Sequence, residues 1–150
     1  MATTITPQTL DVTISTAINL NGQPINSENK LSIPSITAID KRIVNVPSAT
    51  QVTLVTFGTT VGAGQLITGN VKFIQITNKD STNFVRVRVT RTSLATFDVQ
   101  IPAGGYYIAM NPQESVSETG AAFSAFVNAY NISAQADTSP CDVEFFAASI

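Results

Sequence analysis

Strict alternation of side-chain character in residues 71–90 constrains the fold of this chain more than any other feature. The segment reads VKFIQITNKDSTNFVRVRVT, and its second half puts three valines on one face and two arginines on the other: Val85, Val87 and Val89 against Arg86 and Arg88. Alternation on both sides of six polar, turn-prone residues is typical of a β-hairpin, and we predict one here. The second strand is expected to bury its valines and to show a cationic stripe outward.

The same pattern recurs along the chain in short segments separated by turn signals. Strands are predicted over 10–20, 30–33, 42–46, 51–57, 95–101, 106–110 and 142–147. The sequences NGQP at 21–24 and PAGG at 102–105 predict turns, so 95–101 and 106–110 resemble a second hairpin, with Gly104 and Gly105 free to take positive φ. Pro34 ends its strand or makes it an edge. The glycine-rich segment 58–70 is predicted to be a long loop.

The segment 122–132 is ambiguous between helix and strand. Its alanines and aromatic residues recur at spacings of three and four, which suits a helix. Phe126, Asn128, Tyr130 and Ile132 alternate, which suits a strand, and the neighbouring strands favour this second interpretation.

Eight or nine short strands without a convincing long helix predict an all-β protein. The expected architecture is an antiparallel β-sandwich, jelly-roll-like because eight strands are the number of that fold, although an immunoglobulin-like sandwich is also compatible. At 150 residues the chain is expected to hold one domain. We predict a flexible N-terminal arm over the polar, threonine-rich residues 1–9 and a single domain over residues 10–150.

Charge is scarce and unevenly distributed. Charged residues make up 12% of the chain against a usual value of about 25%, and the formal net charge is −2. No Lys or Arg follows Arg91, so a basic middle precedes an acidic final third. These charges pair either inside one subunit or between subunits, and we predict an interaction surface that contains the following residues: Lys72, Arg86, Arg88, Asp142 and Glu144. A surface so poor in charge suits a protein that packs against neighbours.

The sequence contains few residues suited to catalysis, and we predict no catalytic residue. It has no histidine, the most common general acid or base, and its single cysteine, Cys141, lacks a histidine to activate it. Asp142 and Glu144 would share one strand face, so a glycosidase-like pair is formally possible. Two solvated acids on an outer strand face are the more common arrangement.

No cofactor or metal site is predicted either. One cysteine without histidine nearly excludes zinc. Calcium could use Asn78, Asp80 and Asn83 in the polar loop of the hairpin, but an ordinary turn explains these residues better. No phosphate-binding glycine motif is present.

Other partners have equally weak signals. The negative net charge argues against nucleic acid, although Phe84 shares a face with the arginines and could stack on a base. No apolar run is long enough to span a membrane, and the first residues lack the features of a secretory signal, so we expect folding in a cytoplasm. Glycan recognition usually uses exposed aromatic platforms, and the chain has no Trp.

Two stretches carry a resemblance. Residues 18–47, INLNGQPINSENKLSI followed by IDKRIVNVP, resemble the opening of small virion proteins of tailed bacteriophages. Residues 73–90, followed by FDVQIPAGGYYIAMN, resemble their central hairpin and the turn after it. The resemblance covers most of residues 18–111 and is one of segment style and order, without a short defining motif.

The resemblance implies a structural virion protein, assembled in the host cytoplasm. It points first to a capsid cement or decoration protein that binds the major capsid protein and stabilises the shell, as a homo-oligomer, expected to be a trimer. A head–tail connector or tail-associated protein is the nearest alternative. A receptor- or glycan-binding module is the alternative from another class.

Overall fold

The computed structural model describes residues 4–60, 62–91, 96–110, 113–114, 124–125 and 129–150, and within these ranges the regular structure is entirely β. The first seven strands are β1 (Gln8–Leu20), β2 (Gln23–Ile36), β3 (Ala38–Val46), β4 (Val52–Gly58), β5 (Gln65–Ile67), β6 (Val71–Asn78) and β7 (Val85–Arg91). The remaining strands are β8 (Thr96–Ile101), β9 (Tyr106–Met110), β10 (Gln113–Glu114), β11 (Ser124–Ala125), β12 (Ala129–Ala136) and β13 (Cys141–Ser149).

Two sheets form a sandwich with the strand order of a jelly roll. One sheet has the order β3-β13-β6-β9, and the other has the order β5-β4-β12-β7-β8. When the eight long sandwich strands are counted along the chain, these orders become 1-8-3-6 and 2-7-4-5, the interleaving that two Greek keys produce. Pairing is antiparallel except for the short parallel contact of β5 with β4. The predicted all-β, jelly-roll-like sandwich is therefore confirmed.

The core lies between the sheets and is built mainly from inward-facing aliphatic residues, with Phe57 and Phe145 as its buried aromatic residues. Val85 and Val87 are 0% exposed and Val89 is 1% exposed, which confirms their predicted orientation, while Arg86 faces solvent. From the opposite sheet, Ile74, Ile76 and Phe145 complete this core at 0% exposure.

The two predicted hairpins are wrong in their pairing, although their strands are correct. The strands β6 and β7 belong to opposite sheets, and so do β8 and β9. Each connection is an arch over the edge of the sandwich, and the real hairpin partner of β7 is β8. Alternation reports which face of a strand is buried, and two strands that face each other across a core show the same alternation as two strands that pair side by side.

The backbone donors at the first arch show why no hairpin closes there. The N–H of Asn78 donates to the carbonyl of Gly105, and the N–H of Lys79 donates to the carbonyl of Asp142. These bonds go to Gly105, directly before β9, and to Asp142 of β13, rather than to β7. In the second arch Gly104 has φ 68°, as the turn requires, while Gly105 is not in the left-handed region.

A third sheet consists of β1 and β2 alone. These strands form a long antiparallel hairpin that closes through Asn21 and Gly22, with φ values of 51° and 81°, and the predicted turn is confirmed. The strand β1 begins at Gln8, inside the segment 1–9. The strand β2 continues past Pro34, where the register shifts opposite Gln8 and Leu10 and Ser35 takes φ 65°. As an edge strand, β2 tolerates the missing donor of Pro34.

Two other segments had an uncertain or incorrect prediction. The segment 58–70 is not a continuous loop, because β5 lies within it and pairs with β4. In the segment 122–132, residues 124–125 and 129–132 are strand, as favoured, and the rest lies outside the described residues. No helix in the described part of the chain is long and apolar enough to span a membrane.

Candidate interaction surfaces

Arg86 and Arg88 of β7 lie on the outer face of the five-stranded sheet and share one acid. Arg88 makes a bidentate contact with Asp98 on β8, its Nε and Nη2 each 2.7 Å from one carboxylate oxygen. Arg86 donates to the side chain of Gln135, and its Nε lies 4.0 Å from the same carboxylate. The hydrogen bond from Arg88 lowers the pKa of Asp98, and the same contact raises the pKa of Arg88. This part of the cationic stripe is therefore paired within one subunit.

The predicted acidic residues lie on the other sheet. Asp142 and Glu144 share the outer face of β13, as the alternation predicts. The Asp142 carboxylate accepts a hydrogen bond of 2.9 Å from Asn45, and Glu144 lies 3.7 Å from Lys41 Nζ. Because the two sheets present opposite outer faces, the fold does not bring these acids to Arg86 and Arg88 within one chain.

Lys72 stands apart from both groups. Its Nζ donates to the carbonyl of Gly69 at 3.2 Å. The side chain lines an open groove of about 400 Å³ at the junction of the hairpin and the sandwich, together with Leu31, Pro34 and Ile150. The five predicted surface residues thus occupy three places on the molecule rather than one.

The polar loop between β6 and β7 is built as a turn. The Asp80 carboxylate accepts hydrogen bonds from the backbone N–H groups of Asn83 and Thr82 at 2.6 and 2.7 Å, and these bonds lower the pKa of Asp80. The buried Asn78 amide donates to the carbonyls of Asn83, Ile101 and Pro102. The side-chain oxygens considered as calcium ligands therefore accept hydrogen bonds within the protein: those of Asn78 and Asp80 from the loop backbone, and that of Asn83 from the Thr138 hydroxyl. The described residues contain no cluster of His, Cys, Asp and Glu suited to a metal.

Cys141 is a buried thiol at the start of β13. It is 1% exposed, and its Sγ lies 3.5 Å from the carbonyl of Ser139. Burial raises the pKa of the thiol, and the acids Asp80, Asp137 and Asp142 raise it further. Both effects disfavour the thiolate that a nucleophile requires.

An arginine that the sequence did not single out closes one edge of the sandwich. Arg42 points toward the core side of β3, with its guanidinium carbon 5.2 Å from the centroid of the Phe145 ring. It pairs with Asp40 at 3.1 Å and donates to the carbonyl of Leu54 on the opposite sheet. Its position in the alternation Asp40, Arg42, Val44 and Val46 was the available signal, because this set shares one face.

The base of the β1–β2 hairpin covers the middle of the four-stranded sheet on its outer side. Its apolar contacts form a second, smaller core: Leu10, Val12, Ile33 and Ile36 from the hairpin, and Phe73, Ile108, Phe146 and Ala148 from the sheet. The rings of Phe73 and Phe146 meet edge to face, with centroids 5.8 Å apart.

Beyond this base the hairpin leaves the domain. Every residue from Ser15 to Lys30 is exposed, on both faces of the ribbon. Ile18 lies directly opposite Ile25, and the two side chains are 58% and 55% exposed. Leu20, at the tip of the hairpin, is 56% exposed. These residues lie on the same ribbon face as Leu10 and Val12, since cross-strand partners and every second residue share a face. We call the set Ile18, Leu20 and Ile25 the distal apolar face.

A second uncovered apolar surface lies on the sandwich. Ile39 and Ile43 are 61% and 63% exposed on the outer side of β3, on either side of Lys41. They lie beside the strip of sheet that the hairpin base covers, because β3 neighbours β13. We call Ile39 and Ile43 the β3 flank. Sequence reasoning missed both surfaces, although the isoleucines at alternate positions of β1 and β3 were the signal.

Comparison of the chain with models of protein families, with curated proteins and with solved structures finds no match. The fold defines the chain as a jelly-roll domain with an added two-stranded hairpin, and its function has to be argued from its own surfaces.

Proposed function

We propose that this chain is a structural, non-enzymatic virion protein of the cement or decoration type, which binds the major capsid protein and braces the shell. The observation that carries the proposal is the pair of uncovered apolar surfaces, the distal apolar face and the β3 flank. Contiguous exposed apolar surface on a folded domain marks protein–protein contact sites. A chain with such surfaces and so few charges is suited to a permanent assembly.

Two further observations support the proposal. The resemblance of residues 18–47 and 73–90 to small virion proteins covers the distal part of the β1–β2 hairpin, β3, β6, the first arch and most of β7. The acids and the thiol considered for catalysis make structural contacts: Asp142 accepts a hydrogen bond from Asn45, Glu144 lies 3.7 Å from Lys41 Nζ, and Cys141 is buried.

Copy number in purified particles tests this function. We expect the chain to copurify with density-gradient-purified virions at hundreds of copies per particle, counted by mass spectrometry against labelled peptides. A few to dozens of copies would favour the connector or tail-associated alternative. Absence from the particles would overturn the virion proposal in every form.

A glycan- or receptor-binding module is the second candidate, favoured by one feature. A small open groove of about 190 Å³ on the five-stranded sheet is lined by Phe84, Arg86, Gln135, Ala136 and Asp137. An aromatic ring beside amide, cationic and acidic groups is a suitable surface for a sugar. Saturation-transfer NMR with a panel of neutral and acidic oligosaccharides, repeated on Phe84→Ala, would reveal such binding.

A further inference from the structure

We infer that the distal apolar face of one copy packs on the β3 flank of a second copy of the same chain. This inference deepens the proposed assembly role and rests on it, because it names the partner of the uncovered surfaces. It can be tested on the isolated protein, so its outcome is separate from the count of copies in virions.

The distal part of the hairpin is not covered by any other described part of its own chain. A two-stranded ribbon is marginally stable in water unless it packs against something. The ladder continues for six cross-strand pairs beyond Ile14, about 20 Å at the usual rise of about 3.3 Å per residue, and every residue of it is exposed. An exposed ribbon of this length, with isoleucine and leucine on one face, has the features of a docking element.

Continuity with the packing inside the chain identifies the kind of surface that would cover it. At the hairpin base, Leu10 and Val12 of this ribbon face already pack on the outer side of the four-stranded sheet. The same face continues through Ile14 and then, past the polar pair of Thr16 and Ser27, to the apolar pair of Ile18 and Ile25. The surface that it would meet next is therefore more of the same sheet side, which is what the β3 flank presents.

The chain contains both halves of this contact, but they are separated. The distal apolar face lies beyond the sandwich, whereas Ile39 and Ile43 lie beside the hairpin base on the sheet itself. Two different patches that match each other on one chain pair between copies in a head-to-tail contact, which closes into a ring when the rotation permits.

Sedimentation of purified full-length chain from about 1 µM to about 100 µM provides the test, since association depends on concentration. We expect wild type to form oligomers. Ile18→Ser with Ile25→Ser should weaken association by at least about tenfold, and Ile39→Ser with Ile43→Ser should do the same. The matched control is Ala17→Ser with Asn26→Ser, an adjacent cross-strand pair on the polar face of the ribbon, which should leave association unchanged.

Mixing the two defective variants separates a head-to-tail contact from other arrangements. Each variant retains one intact surface, so the mixture should form dimers that neither variant forms alone. A tip-to-tip contact would instead leave the β3 flank variant fully associated and the mixture without new dimers, and this would overturn the inference. A wild type that stays monomeric would overturn it as well. All substituted residues are exposed, so thermal unfolding should be unchanged and loss of association will not reflect misfolding.

Discussion

At the residue scale, the Asn78 side chain holds together the two arches that join the sheets. Its amide nitrogen lies 2.8 Å from the carbonyl oxygen of Asn83 and 3.1 Å from that of Pro102, and its oxygen accepts from the N–H of Asp80. The side chain is fully buried, so water cannot replace these bonds. One residue therefore satisfies backbone groups from both connections, β6–β7 and β8–β9.

Asn78→Ala should lower the free energy of unfolding by about 2 kcal/mol or more, because a buried polar group left without its partner costs about 1–3 kcal/mol. Chemical denaturation monitored by circular dichroism measures the loss. Asn45→Ala is the matched control, since Asn45 is exposed and makes one hydrogen bond to Asp142. Equal effects of the two substitutions would contradict the role given to Asn78.

Val87→Ala tests the core. Val87 is fully buried between the sheets, and removing two methyl groups there should cost about 1–3 kcal/mol of unfolding free energy. The same denaturation experiment on Thr53→Ala, at an exposed position of β4, should change the value by less than about 0.5 kcal/mol. A neutral Val87→Ala would mean that the packing across this sandwich is loose.

The Arg88–Asp98 pair predicts an acid-dependent loss of stability. The Asp98 pKa is lowered from its ordinary value of 3.8 by the hydrogen bond from Arg88. A folded-state pKa below the unfolded value means that this contribution is complete above the unfolded pKa and is lost as the pH falls through the folded pKa. Wild type should therefore be more stable than Asp98→Asn near neutral pH, and the difference should shrink below about pH 4. Thermal melts at a series of pH values measure it, and parallel curves would contradict the pairing.

At the element scale, the hairpin has two halves with different roles. The base, with Ile33 and Ile36 buried, belongs to the folded domain because it covers Phe73 and Ala148. The distal half is exposed throughout. The turn at Asn21 and Gly22 holds the backbone at positive φ, which suits the twist of a two-residue hairpin connection. The register is therefore defined even where no other part of the described chain contacts the ribbon.

A shortened hairpin should separate folding from assembly. Removing residues 15–20 and 23–28 keeps the Asn21-Gly22 turn and joins it to Ile14 and Asn29, which are already cross-strand partners. We expect the melting temperature to stay within about 3 °C of wild type, because the deleted residues bury little surface, while self-association is lost. Calorimetry and sedimentation measure the two effects. A large drop in melting temperature would show that the distal ribbon supports the domain.

At the scale of the whole molecule, an interface between the charged residues would join different surfaces from an interface between the apolar residues. The basic residues Arg86 and Arg88 and the acids Asp142 and Glu144 face away from each other on opposite sheets. A contact between them would have to join the five-stranded sheet of one copy to the four-stranded sheet of another. Arg88 already donates two hydrogen bonds to Asp98 within the subunit, so fewer of its N–H groups are available to an acid of a second copy.

Self-association should accordingly resist salt. At about 1 M salt the Debye length falls to about 3 Å, which screens exposed ion pairs but leaves apolar contacts intact. We expect the dissociation constant of wild type to change less than about threefold between low and high salt, measured by sedimentation. Association that collapses in high salt would instead support a charged interface, and Arg86→Glu would then be the variant that abolishes it.

The sequence by itself determined the faces of the strands. The alternation at Val85, Val87 and Val89 identified which side of β7 is buried, because side chains of a strand point alternately to its two sides. The Asn-Gly turn at 21–22 likewise fixed the hairpin closure, since few residues accept positive φ. The sequence also predicted that Arg86 and Arg88 face outward, but it did not identify Asp98 as the acid that they share.

Only the tertiary structure decided which strands are neighbours. The alternation of β6 and β7 is the same for a hairpin as for an arch, and the choice depended on the long-range pairing of β6 with β13 and of β7 with β12. Partners so distant in sequence leave no local signal, because backbone hydrogen bonds carry no residue identity. For the same reason the sequence grouped Lys72, Arg86, Arg88, Asp142 and Glu144 into one surface, while the fold placed them on separate sides and left Ile18, Ile25, Ile39 and Ile43 uncovered.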